Sequence, residues 1–204
     1  MVDDSYKTIA GRSEGLYTEK RSKFIAMAIP VRTLEEIKEE LAAINKKFYD
    51  ARHACYAYVL GPERKEFRAN DNGEPSGTAG RPILGQINSL DLTDILLVVV
   101  RYFGGIKLGT NGLYAAYKEA AAEALRGATI IEKTVDEEVS FHFEYPFMNE
   151  VMRIVKEEEP DLVSQGFENN CFMTLRIRRS QMGRLRARLE KVETLGFLSD
   201  DPTL

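Results

Sequence analysis

The sequence predicts an α+β chain of two domains, on three observations. Strand-like and helix-like segments alternate through the first two thirds. A fresh strand pattern opens after Val135. The charge balance also changes there, from net +1 over residues 1–135 (19 Lys/Arg against 18 Asp/Glu) to −5 over residues 136–204 (9 against 14). With 204 residues, 44% of them hydrophobic, the chain can bury a core in each part, and the domains are set at 1–134 and 135–204.

In the first domain, Lys23 to Val31 (KFIAMAIPV) reads as a strand. Thr33-Leu34-Glu35-Glu36 has the Thr-x-x-Glu spacing of a capping box, and Leu34, Ile37, Leu41, Ile44 and Phe48 then form one apolar helix face. Ala54 to Leu60 reads as a strand and Gly61 to Pro75 as a polar loop. The next helix starts between Ser76 and Pro82, with Ser76 or Thr78 as its cap and Pro82 in the first turn. The apolar run Ile95 to Val100 predicts a central strand covered on both faces. A Gly-rich loop follows, and then a helix from Gly112 to Arg126 stopped by Gly127.

In the second domain, Val139, Phe141, Phe143 and Tyr145 alternate with polar residues as a half-buried strand requires. Pro146 opens a helix with Phe147, Val151, Ile154 and Val155 on its apolar face. Leu162 to Phe167 and Cys171 to Arg178 are strands joined by a turn at Glu168-Asn169-Asn170, with Cys171, Met173, Leu175 and Ile177 inward. Ser180 caps a last helix carrying Met182, Leu185, Leu189 and Val192, and a short strand near Gly196 to Ser199 closes the order. That order, β-α-β-β-α-β, fits a ferredoxin-like domain. Its own apolar pattern predicts that residues 135–204 fold independently.

Function is expected where two Gly-rich loops lead into helices: Asn70 to Pro82 (NDNGEPSGTAGRP) and Arg101 to Gly109 (RYFGGIKLG). Free N–H groups at helix starts attract anions, and glycine allows close backbone approach. The candidate anion- or nucleic-acid-binding residues are Arg81, Arg101, Lys107, Thr78, Gly104 and Gly105. Arg101 and Lys107 are expected at the surface, so that replacing both would leave the melting temperature nearly unchanged. The second loop is not a P-loop, because Lys107 lies between the glycines and no Lys-Ser/Thr pair precedes the helix. Its glycines serve equally as turn and packing residues.

Other constellations have plainer readings. Asp71 and Glu74 suit an acid-base pair or a metal site, but Asp-Asn-Gly is more simply a turn with a nearby Glu capping loop amides. His53 and Cys55 share a strand face, yet point parallel rather than at each other, and Cys55 sits in an apolar run. No catalytic residue is assigned. Two histidines and two cysteines, scattered, give no metal-ligand spacing, and no cofactor is expected. Phe172, Arg176 and Arg178 share the outer face of the second sheet, as in RNA-recognition modules, without the aromatic-rich RNP patterns. No long apolar run spans a membrane, no secretory signal is visible at the N-terminus, and two cysteines suit reduced thiols, which together predict a cytoplasmic protein. A net charge of −4 argues against bulk attraction to nucleic acid or membrane, and no DNA sequence recognition is expected.

The wording DNGEPSGTAGRPIL and VVVRYFGGIKLGTNGLYAAY resembles the IMPACT family in its bacterial YigZ-like form, over the whole chain. Asp71, Gly73, Glu74, Pro75, Ser76 and Gly77 carry the first motif. The resemblance implies a first domain like domain 2 of ribosomal protein S5 and a second like the last domain of elongation factor G. It also implies a non-enzymatic regulator associated with translation, because eukaryotic IMPACT proteins counter activation of the starvation-responsive kinase of initiation factor 2 by competing for its coactivator. This chain begins directly with the IMPACT domain and no RWD-like domain precedes it, so that partner is not carried over. Asn111 stands where relatives are expected to have glycine, and Lys118 where serine is expected. Expected partners are RNA, the ribosome or a translation-linked protein. An RNA- or ribosome-binding protein is the first alternative, and an enzyme on a phosphorylated or nucleotide substrate the second.

Overall fold

A computed structural model describes residues 4–167 and 170–198. The turn expected at Glu168-Asn169 and the end of the last strand at Ser199 lie outside the described residues. The chain divides into two compact units, Tyr6–Lys133 and a second comprising residues 4–5 and 134–198.

Apart from the end residues Ser5 and Thr134, the first unit holds β1 (Ser5–Ile9), β2 (Ser13–Glu19), β3 (Ser22–Pro30), α1 (Leu34–Lys47), β4 (His53–Leu60), β5 (Glu66–Asn70), α2 (Gly80–Ser89), β6 (Ile95–Tyr102), α3 (Gly109–Arg126) and β7 (Ile130–Thr134). Five strands form an antiparallel sheet in the order β2-β3-β6-β4-β5, and β1 pairs with β7 separately. The strand Ile95 to Tyr102 is central, and its alternating residues enter two cores. Ile95, Leu97 and Val99 pack with α2 and α3, whereas Leu96, Val98 and Val100 pack with Ile37 and Ile44 of α1. That two-sided burial is why the run has no polar alternation. Thr33 caps α1, its hydroxyl accepting from the Glu36 N–H at 3.1 Å, while the Glu36 carboxylate reaches back to the Arg32 N–H.

Three first-unit expectations need correction. The segment Gly61 to Pro75 is not all loop, because β5 lies within it. As an edge strand β5 is exposed on both faces, Phe67 included, so it shows no apolar alternation. The helix expected from Gly112 starts at Gly109, so Gly109, Thr110 and Asn111 are its first turn rather than loop. The side chains of Ser76 and Thr78 do not cap α2, whose N-cap position is Ala79. The carboxylate of Asp71 does that, from a preceding turn.

The second unit runs β8 (Asp136–Phe143), a 3₁₀ turn at Tyr145–Phe147, α4 (Met148–Glu158), β9 (Asp161–Phe167), β10 (Cys171–Arg178), α5 (Arg179–Leu189) and β11 (Gly196–Phe197). Its antiparallel sheet has the order β11-β8-β10-β9. Val139, Phe141 and Phe143 meet Met173 and Leu175 and the apolar faces of α4 and α5 in one core. Ser180 does not cap α5 with its side chain. Asp4 does so instead, accepting from the Ser180 N–H at 3.2 Å and from Arg178 Nε at 2.8 Å. The donors from Ser180 and Arg178 hold the Asp4 carboxyl down at about 2.

Candidate anion-binding cleft

The first Gly-rich loop is organised around Asp71. One carboxylate oxygen accepts from the N–H groups of Ala79 (3.0 Å) and Gly80 (2.8 Å), and the other from Gly77 (2.8 Å). Partial burial alone would raise the Asp71 carboxyl, but the donors from Gly77, Gly80 and Ala79 outweigh it and hold it below its usual range. Of the N–H groups expected to be free for a ligand at this helix start, those of Ala79 and Gly80 are therefore taken. Thr78 is buried with its hydroxyl donating to the Pro75 carbonyl, and Arg81 is exposed in the first turn of α2.

The turn also places Glu74. Its side chain is only 4% exposed, and Oε1 accepts from Arg101 Nη1 at 2.6 Å and from the Tyr117 hydroxyl at 2.8 Å. Arg101 belongs to the last, buried stretch of β6, and the rings of Phe24 and Phe103 lie 5.7 and 5.6 Å from its guanidinium. Arg101 is thus not a surface residue but 8% exposed, which overturns the expectation that its loss would leave stability unchanged. Its Nε has no hydrogen-bond partner among the described residues.

Cys55 completes this cluster from β4, its S–H donating to the Asp71 carbonyl at 2.9 Å with the Tyr117 hydroxyl 3.4 Å away. Burial pushes the thiol up to about 12, so it stays protonated at neutral pH and packs rather than attacks. His53 binds elsewhere, with Nδ1–H donating to the Asn72 carbonyl at 2.8 Å and the ring lying against Gly73. In the neutral ring that bond selects the Nδ1–H tautomer, with Nε2 the acceptor.

The second loop differs from the first. A Cβ on Gly104 would meet backbone atoms of Arg21 and Ser22 at 2.1–2.4 Å, and its N–H donates to Ser22 Oγ, so this glycine is a packing residue. Gly105 is open with φ +88°, and Gly109 turns the chain into α3 with φ +72°. Helix α3 has no side-chain cap at its N-terminus, where Leu108 is the N-cap residue. A first turn has no intrahelical acceptor for its N–H groups, and among the described residues Gly109, Thr110 and Asn111 have no other one. Lys107, just before this turn, is exposed and makes no ion pair among the described residues.

Both loops reach a cavity of about 650 Å³ lined by Asp50, Arg52, His53, Glu74, Pro75, Arg101, Tyr102, Phe103, Lys107, Leu108, Gly109, Thr110 and Leu113. Of the six candidates, Arg101 and Lys107 line it, while Arg81, Thr78, Gly104 and Gly105 do not. Asp50, Arg52, His53, Tyr102 and Phe103 line it without having been singled out as its residues. Cross-strand pairing of His53 with Arg101 sets two of these side by side, and no single-segment motif displays that. Asp50 accepts from the Tyr102 hydroxyl at 2.7 Å.

In the second unit, Arg176 pairs with Glu138 across β10 and β8, Arg178 pairs with Asp4, and Phe172 lies over Gly166 of the neighbouring strand. Arg184 and Arg188 both bind Glu158. Among the described residues, no group of three His, Cys, Asp or Glu is placed to hold a metal ion, and no helix is long and apolar enough to cross a membrane.

A domain of this architecture, with its two glycine-rich turns at one cavity, defines a known class. The family model for the Impact N-terminal domain matches residues 20–125. Over 155 residues the chain is 36% identical to "IMPACT family member YvyE" of Bacillus subtilis, covering 76% of this chain and 71% of that protein. It is 34% identical over 160 residues to "IMPACT family member YigZ" of Escherichia coli, with 78% of each covered. A crystal structure described as that of a hypothetical protein superposes with a TM-score of 0.73 at 28% identity, over 98% of this chain and 100% of the other. The chain belongs to the IMPACT family.

Proposed function

We propose that this protein is a non-enzymatic regulator associated with translation, and that its first unit works by holding an anionic group of RNA, the ribosome or a translation-linked protein in the cleft. One observation carries the reading: the uncapped start of α3, Lys107, Arg52 and Arg101 all line one cavity. Membership of the IMPACT family supports the link to translation. The first unit is proposed to be like domain 2 of ribosomal protein S5. The second is proposed to be ferredoxin-like, resembling the last domain of elongation factor G, and its β-α-β-β-α-β order supports that. A domain boundary at 134/135 belongs to the same proposal, with Asp4 joining the second unit as the cap of α5.

The test is co-sedimentation with ribosomes and capture from lysate, each with and without nuclease, at several salt concentrations. Lys107→Ala should weaken the captured complex and flatten its salt dependence, since each lost phosphate contact lowers that slope by about one. Unchanged capture in this variant refutes the cleft's role.

A second reading, an enzyme on a phosphorylated substrate, is favoured by His53, whose imidazole is held by Asn72 with Nε2 left as an acceptor at the same cavity. Turnover of a phosphorylated substrate that disappears in His53→Ala would replace the regulator reading with this one.

A further inference from the structure

The cavity is larger and more apolar than a bare anion requires. We propose that it binds a phosphorylated nucleoside unit, with the phosphate at the start of α3 and the base against Phe103; this rests on the anion-cleft reading above.

The phosphate end has two independent supports. The first is α3 itself, 18 residues long, whose uncapped first-turn residues Gly109 and Thr110 line the cavity beside Lys107. The second is Arg101, more than nine-tenths buried, lining the same cavity, with an Nε that no described residue satisfies. Glu74 engages only Nη1. The other edge of a guanidinium, Nε with Nη2, is a pair of parallel donors that matches two oxygens of one phosphate. Glu74 and the rings of Phe24 and Phe103 fix the guanidinium plane, and because Nε is buried a phosphate oxygen reaches it only with a local shift of the wall beside it.

The nucleoside end follows from what else lines the space. Phe103, 57% exposed on the loop between β6 and α3, lines the cavity with the Arg101 guanidinium over its ring, and an aromatic group would stack on the side away from Arg101. Pro75, Leu108 and Leu113 add apolar wall. A volume of about 650 Å³ falls in the range of small-molecule sites, and a phosphate ion alone would leave most of it to water. The two acids present already hold donors, Asp50 from Tyr102 and Glu74 from Arg101 and Tyr117.

The same chemistry comes from a free nucleoside monophosphate or from a terminal nucleotide of RNA, and calorimetry on the full chain separates them. The probes are inorganic phosphate, adenosine, adenosine 5′-monophosphate and a short oligoribonucleotide with and without a 5′-phosphate. The monophosphate should bind about tenfold more tightly than phosphate, and Phe103→Ala should bring that ratio down to about one, whatever it does to phosphate binding through Arg101. Lys107→Ala should weaken both. Binding of the 5′-phosphorylated oligonucleotide but not the monophosphate, with the same Phe103 dependence, assigns RNA as the source. Equal affinity for phosphate and monophosphate, or a monophosphate affinity unchanged in Phe103→Ala, overturns the proposal. So does binding of none of the probes; if Lys107-dependent ribosome capture persists in that case, the regulator reading stands without it.

Discussion

The starts of α2 and α3 are both reached through glycine-rich loops in one unit, and they differ in what meets their N–H groups. At α2, Asp71 accepts from those of Ala79 and Gly80, and from Gly77 in the turn before them. At α3 no side chain does, while Lys107 and Arg101 stand beside the open turn at one cavity. A glycine-rich loop before a helix is therefore two different objects, depending on whether the chain supplies its own anion. In the first loop the anion is internal and the motif is architecture. In the second the position is left open, and that is where an external anion is favoured.

The largest effect expected from breaking this arrangement is at the pair that joins the two loops. Glu74→Ala leaves the Arg101 guanidinium buried without its counter-charge and should cost about 3–5 kcal/mol in urea unfolding. Asp71→Ala, which orphans the amides of Ala79 and Gly80 at the start of α2 and of Gly77 in the turn before it, should cost about 1–3 kcal/mol and fray α2 in hydrogen exchange.

Acid makes the same point without mutation. The Asp71 carboxyl is depressed in the folded state, so its contribution is complete above the ordinary aspartate range and is lost as pH falls through the depressed value. Asp4, in the second unit, behaves alike, its contribution lost between its ordinary 3.8 and about 2. Carboxyl chemical shifts followed to low pH check both. An Asp71 or Asp4 that titrates at the ordinary aspartate value would contradict the capping roles.

These two carboxylates mark what could and could not be read from sequence. The helices, the central strand and most inward-facing residues were legible, because the periods of α1, α4 and β10 and the unbroken run of β6 depend only on local spacing. Capping by Ser76, Thr78 or Ser180 was a local expectation too. It failed because the oxygens came from Asp71 and from Asp4, the latter 176 residues away from Ser180. In β2, inward-facing Gly15 lies against α3, where a Cβ would stand 2.4 Å from the Ala124 nitrogen, while Leu16 faces outward, so the usual alternation is inverted. The motif loops did point to the cavity through Arg101 and Lys107. His53, Asp50 and Arg52 reach it only through strand pairing and the turn before β4, which spacing along one segment does not encode.

Smaller changes sharpen the comparison. Asn111→Asp puts a negative charge into the open first turn of α3. It should stabilise the fold by about 0.3–1 kcal/mol while weakening phosphate binding, because the chain would then supply at α3 what Asp71 supplies at α2. Lys107→Ala, at an exposed side chain, should move stability by less than about 0.5 kcal/mol and still reduce binding. Thermal melts beside phosphate titrations separate the two readouts.

The contrast between the two helix starts is tested most directly by titrating inorganic phosphate into the isotopically labelled protein and following backbone amide resonances. The account predicts saturable shifts at Gly109, Thr110 and Asn111, with Gly77, Ala79 and Gly80 unmoved behind Asp71. Shifts at the start of α2 with none at the start of α3, or none at either, would contradict it.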